Sequence, residues 1–104
     1  MSKTEVKKII KKYANELRKK DFSVSSMYLF GSYAKGKAHK WSDIDVAVIS
    51  NNLKNSFGRD YKKMLYTTLD VDTRLEPHGF TVKEFMDNSN PMSYEIRKTG
   101  IKVV

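Results

Sequence analysis

The chain has 104 residues, 39% of them hydrophobic and none of them cysteine, with a formal charge of +8 and a pI near 9.7. That length supports a single domain over residues 1–104 with a small core, and the missing thiols exclude disulfide scaffolds and thiolate metal sites. No stretch approaches the roughly 20 apolar residues that cross a bilayer, so a cytoplasmic protein without a membrane anchor is expected.

From Ser2 to Lys20 the apolar residues Val6, Ile9, Ile10, Tyr13, Ala14 and Leu17 recur at steps of three and four, which predicts an amphipathic helix. Ser2 followed by Glu5 reads as a capping box. Lys7, Lys8, Lys11 and Lys12 fall on the opposite face, where solvation accounts for them. The positive charge favours polyanions in general, but with so much of it on this helix, nucleic acid is not expected as a direct substrate.

Val24 to Phe30 is short, apolar and aromatic and stops at Gly31, as a buried strand entering a tight loop would. A second strand is expected over Asp43 to Ile49: Ile44, Val46 and Val48 share one face, and Asp43, Asp45 and Ala47 the other. After a polar connection over Asn51 to Ser56, the spacing of Phe57, Tyr61, Met64 and Leu65 predicts a helix to about Tyr66. Alternation over Thr68 to Glu76 then predicts a third strand, ended by Pro77, with Asp70, Asp72, Arg74 and Glu76 on one side. Thr81 with Glu84 predicts a short capped helix. Asn90-Pro91 opens a last helix that Gly100 closes, and Ile101 to Val104 is left open between a strand and a tail. The expected fold class is α/β (α+β), a small mixed sheet with helices packed on its apolar face and the carboxylate face left open.

Two features carry chemistry. Gly31-Ser32 follows a buried strand directly, and Asp43-x-Asp45 opens the next, with ten residues between Ser32 and Asp43. Carboxylates at i and i+2 of a strand point the same way about 6–7 Å apart, near enough to flank a pair of divalent cations. Glycine admits a phosphate close to the backbone, and the serine hydroxyl can donate to it. Lys35 and Lys37 in the following loop could steer phosphates, and Tyr33 and Trp41 could stack on a base or close a core edge. Ser42 reads as a structural cap, and His39 and His78 read as surface or turn residues, with no zinc expected.

The segment GSYAKGKAHKWSDIDVAV resembles the glycine-serine, ten-residue gap, Asp-x-Asp signature of the polymerase-beta-like nucleotidyltransferases. Over most of its length the chain resembles the minimal nucleotidyltransferases of that superfamily, whose fold is expected here. The resemblance implies that Gly31 and Ser32 hold the nucleotide's phosphates. It also implies two Mg2+ ions held by Asp43, Asp45 and a third carboxylate from a neighbouring strand. Asp72 is the favoured third group, Asp70 its alternative and Glu76 a more distant one; Asp72 could also take the attacking proton. Arg74 could pair with these carboxylates or contact the nucleotide.

The implied reaction carries a nucleotidyl group, AMP if ATP is the donor, to an acceptor hydroxyl, although no residue here reads the base. Proteins of this kind resemble the antitoxin halves of toxin–antitoxin pairs, whose partner is a helical HEPN-type toxin modified on a tyrosine. The alternatives are a non-catalytic module that binds nucleotide or partner, and the catalytic subunit of a small-molecule nucleotidyltransferase. So small a domain is expected to need a partner, or a second copy in a homo-oligomer, to complete its acceptor site.

Overall fold

The computed structural model describes residues 1–39, 42–54 and 58–104. Helix α1 spans Lys3–Lys19 and opens with the expected capping box: Glu5 N–H donates to the Ser2 hydroxyl oxygen, and the Glu5 carboxylate accepts from Ser2 N–H. Val6, Ile10, Tyr13, Ala14 and Leu17 are its buried stripe, while Lys8, Lys11 and Lys12 are exposed. The helix stops in a Schellman turn, with Phe22 N–H donating to Leu17 O and Asp21 N–H to Arg18 O. Asp21 takes the left-handed position at φ 60°, which glycine occupies at lower cost.

Four strands follow: β1 (Ser26–Phe30), β2 (Ile44–Ile49), β3 (Leu75–Phe80) and β4 (Ile101–Lys102), in the sheet order β3-β2-β1-β4. The β1·β2 and β1·β4 pairs are antiparallel and β2·β3 is parallel, so the expected mixed sheet is present. The open question at the C-terminus resolves in favour of a strand. Between β2 and β3 lie a 3-10 turn (Asn51–Lys54), helix α2 (Arg59–Thr67) and a second 3-10 turn (Thr68–Asp70). Phe57 falls outside the described residues. Helices α3 (Val82–Phe85) and α4 (Pro91–Thr99) carry the Thr81–Glu84 and Asn90 caps expected of them.

The third strand differs from its sequence reading. Thr68 to Asp70 continues the helical path, because the Thr67 and Thr68 hydroxyls donate back to Lys63 O and Leu65 O. The chain then turns, and the strand begins at Leu75 and runs through Pro77 to Phe80. Proline is tolerated there because β3 is an edge strand. The bonds Ile44 N–H to Arg74 O and Ser50 N–H to Phe80 O set the phase of the parallel ladder, in which residues 76, 78 and 80 donate toward β2. The nitrogen of Pro77 therefore lies on the open side.

Alternation along β2 divides the molecule into two layers. Ile44, Val46 and Val48 join Met27, Leu29 and Leu75 beneath α1 and α2 in the main core. Ala47 and Ile49 face the other way and pack with Phe80, Phe85 and Ile96, so α3 and α4 cover the far half of the second face. The helices are thus on both faces, beyond the one face that patterning suggested, and the half of the second face that carries Asp45 stays partly exposed. Across the main core the buried Tyr13 hydroxyl donates to Met64 O at 2.6 Å, tying α1 to α2, and burial pushes this phenol well above its ordinary pKa.

Replacing Tyr13 with Phe leaves that carbonyl without its partner. Loss of about 1–2 kcal/mol in denaturant unfolding is expected, whereas Asp21→Gly should raise stability by about 1 kcal/mol by removing the left-handed strain.

Candidate active site

β1 ends at Phe30, which pairs with Asp45 of β2, so the chain leaves the sheet at Gly31 directly beside that carboxylate. Gly31 has φ +71°, and a Cβ there would collide with Asp45 Oδ2. Two independent reasons therefore demand glycine: a left-handed backbone and the space that the carboxylate fills. From Gly31 to Gly36 the chain turns, with Lys35 N–H donating to Gly31 O and Lys37 N–H to Ser32 O. Ser32, Lys35 and Lys37 are exposed at this turn, while Tyr33 is buried in the main core and so closes a core edge. The Ser42 hydroxyl accepts from His39 N–H, and Ser42 N–H donates to His39 O; this closes the end of the loop, in keeping with its structural reading. Trp41 falls outside the described residues.

The parallel register sets Glu76 opposite Asp45 and His78 opposite Ala47, and the i, i+2 spacing turns both toward the face that Asp45 occupies. Asp45, Glu76 and His78 each offer a ligand atom within 4.8 Å of the other two. Burial and the neighbouring carboxylates of Asp45 and Asp43 push the Glu76 carboxyl above its ordinary pKa, against the pull of His78. Asp43 is itself exposed, just ahead of β2. Like charges gathered this closely repel, and a bound cation would reverse the sign of that interaction.

Asp72 lies elsewhere. Its carboxylate accepts from Arg74 Nε at 3.0 Å, from Arg74 Nη2 at 2.7 Å and from Arg74 N–H at 2.9 Å, an Asx turn that leads into β3. The Arg74 guanidinium bonded to it holds the Asp72 carboxyl below its ordinary pKa. Asp70 pairs with Lys20 Nζ at 2.6 Å. The fold thus brings Asp45 together with Glu76 and His78, with Asp43 just ahead on the same strand path, while Asp72 is engaged by Arg74 and Asp70 by Lys20. His78, read from sequence as a surface or turn residue, is a strand residue at this cluster, its ring edge against Phe30 at 5.1 Å between centroids. The signal for both lay in Glu76-x-His78, the same i, i+2 pattern as Asp43-x-Asp45, hidden by taking Pro77 as the end of the strand.

A mixed sheet with two carboxylates opening one strand, a glycine-serine turn beside them and an acidic edge strand defines a nucleotidyltransferase architecture. The model of the nucleotidyltransferase domain family matches residues 8–99, and the chain belongs to that family. A Methanocaldococcus jannaschii protein assigned as a protein adenylyltransferase is 34% identical over 91 residues, covering 81% of this chain and 90% of that one. The protein adenylyltransferase MntA of Shewanella oneidensis is 40% identical over 50 residues, 47% of this chain and 36% of its own; three further curated relatives are likewise matched over about half their length. Among solved structures, a toxin–antitoxin complex crystallised with AMP-PNP superposes with a TM-score of 0.65 at 22% identity, over 94% of this chain and 72% of that one. A Sulfolobus solfataricus protein assigned as a nucleotidyltransferase gives 0.64 at 19%, over 95% and 79%. These two likenesses establish the fold.

The donor set fits a divalent cation: carboxylate oxygens at Asp45 and Glu76, and beside them the His78 Nε2 atom, shielded from solvent and without a hydrogen-bond partner.

Gly31→Ala is expected to destabilise the protein by about 2–4 kcal/mol, from the left-handed backbone and the collision together. Combining it with Asp45→Ala should recover the collision part and leave about 1–2 kcal/mol, a coupling that a double-mutant cycle of unfolding free energies would measure.

Proposed function

We propose that this chain transfers AMP from ATP to a hydroxyl group of a partner protein, a helical HEPN-type toxin that the modification silences. The observation that carries this reading is the convergence of Asp45 and Glu76 beside the Gly31-Ser32 turn, with Asp43 two residues before Asp45. Support for a protein acceptor comes from the adenylyltransferase names of the relatives, above all the one matched over 90% of its length. The partly exposed face at Asp45 leaves room for a large acceptor.

In this reading Asp43 and Asp45 hold divalent cations, Mg2+ among those accepted, and Glu76 takes the third-carboxylate place that Asp72 was expected to fill. Bound there, the cations supply charge neutralisation to the triphosphate and to the oxygens that attack and leave. The Ser32 hydroxyl and the backbone at Gly31, which has no side chain to hold the ligand off, bind phosphate oxygens. Exposed Lys35 and Lys37 draw the polyanion toward the turn. The acceptor hydroxyl then loses its proton to solvent as its oxygen bonds to the α-phosphorus, the bond from that phosphorus to the bridging oxygen breaks, and pyrophosphate leaves. With both its oxygens engaged by Arg74, Asp72 shapes the entry to β3 and acts at a distance from the reacting atoms.

The test is incubation of the purified chain with the neighbouring gene's product, Mg2+ and ATP labelled at the α- or γ-phosphate. Label is expected on the partner from α-labelled ATP alone and absent with Asp43→Asn/Asp45→Asn. Glu76→Gln should slow transfer about 100-fold or more, and Asp72→Asn less than tenfold. Partner binding without transfer would establish a non-catalytic binding module instead, and an equal loss in Asp72→Asn and Glu76→Gln would overturn the assignment of Glu76.

A further inference from the structure

We infer that His78 Nε2 is a direct metal ligand, completing a mixed nitrogen and oxygen site with Asp45 and Glu76 that favours Mn2+ over Mg2+. The inference rests on the reading above, in which this cluster holds a divalent cation, and adds to it a nitrogen donor and a metal preference.

The imidazole nitrogen stands 3.6 Å from Asp45 Oδ1 and 3.8 Å from Glu76 Oε1. Both distances exceed the 2.7–3.2 Å of an N–H···O hydrogen bond, so neither carboxylate satisfies it by direct contact. Both are also shorter than twice a metal–ligand bond of about 2.1 Å, so one ion can touch both members of either pair. The nitrogen has no solvent contact and no hydrogen-bond partner, which is costly for a polar atom unless something occupies the space between it and the two oxygens.

The ring is also held in place. His78 sits in the middle of β3 with its backbone N–H directed to β2, and its edge meets Phe30. The carboxylates themselves remain accessible, with Asp45 26% and Glu76 52% exposed, so a hydrated ion can reach the site. Magnesium demands oxygen ligands and gains little from an imidazole, whereas first-row transition ions accept nitrogen and carboxylate oxygen together. A histidine placed here therefore shifts preference away from magnesium without closing the site to it.

The decisive measurement is pulsed electron paramagnetic resonance of Mn2+ bound to the full chain in nitrogen-free buffer, on wild type, His78→Gln and His39→Gln. Imidazole nitrogen coupling is expected in wild type and His39→Gln and absent in His78→Gln. In titrations, Mn2+ affinity should fall about tenfold in His78→Gln while Mg2+ affinity changes much less. Bound Mn2+ without nitrogen coupling in wild type would overturn the ligand assignment and leave the carboxylate site standing. Failure of wild type to bind Mn2+ or Mg2+ would overturn both readings, and the wild-type spectrum decides even if His78→Gln fails to fold.

Discussion

The close approach of the β1 terminus to the Asp45 carboxylate sets the terms for the rest of the site. Because Gly31 has no side chain, the backbone that leaves β1 lies against the carboxylate near the start of β2, and the Gly31-Ser32 turn begins beside that group. The antiparallel pairing of Phe30 with Asp45 fixes that proximity, and the parallel pairing of Asp45 with Glu76 carries it one strand further. Three segments distant in sequence thus meet through two backbone registers. A slip of one residue in either register would turn its carboxylate into the main core.

The strand β2 does two jobs with one alternation. Its even-numbered residues from Ile44 to Val48 build the core with α1 and α2, so the energy that folds the domain also fixes the orientation of Asp45 on the opposite face. On that face α3 and α4 cover Ala47 and Ile49 and stop short of the carboxylates. The cover is partial because the second cluster is small, built from Phe80, Phe85 and Ile96 with Tyr28 and Phe30 at its margin. Stability is concentrated on one side of the sheet and chemistry on the other.

What could be read from sequence was whatever is local. The stripe of α1, its capping box, and the caps at Thr81 and Asn90 all depend on residues a few positions apart and appear in the structure as read. The strand β3 was misplaced because its evidence is non-local. Alternation from Thr68 to Glu76 arose from a helix end and a turn, where threonine hydroxyls and the Asp72 carboxylate satisfy the backbone. Pro77 then looked like a terminus, since nothing in the chain itself says that this strand lies at the sheet's edge. With β3 shifted, Asp72 was read onto a strand that begins only at Leu75, and His78 fell outside every pattern.

The position of Pro77 also bears on how another molecule can meet this protein. An open sheet edge is a template on which a foreign strand can lay down hydrogen bonds, whether in aggregation or in recognition by strand addition. On β3 the central outward position has no N–H to offer, and its Gly79 neighbour lies packed against Leu53 and Met64. Backbone pairing at this edge is interrupted at its middle, at the residue between Glu76 and His78. A molecule that approaches this cluster therefore meets the face of the sheet more readily than its edge, and the edge is poorly suited to strand addition by an unrelated chain.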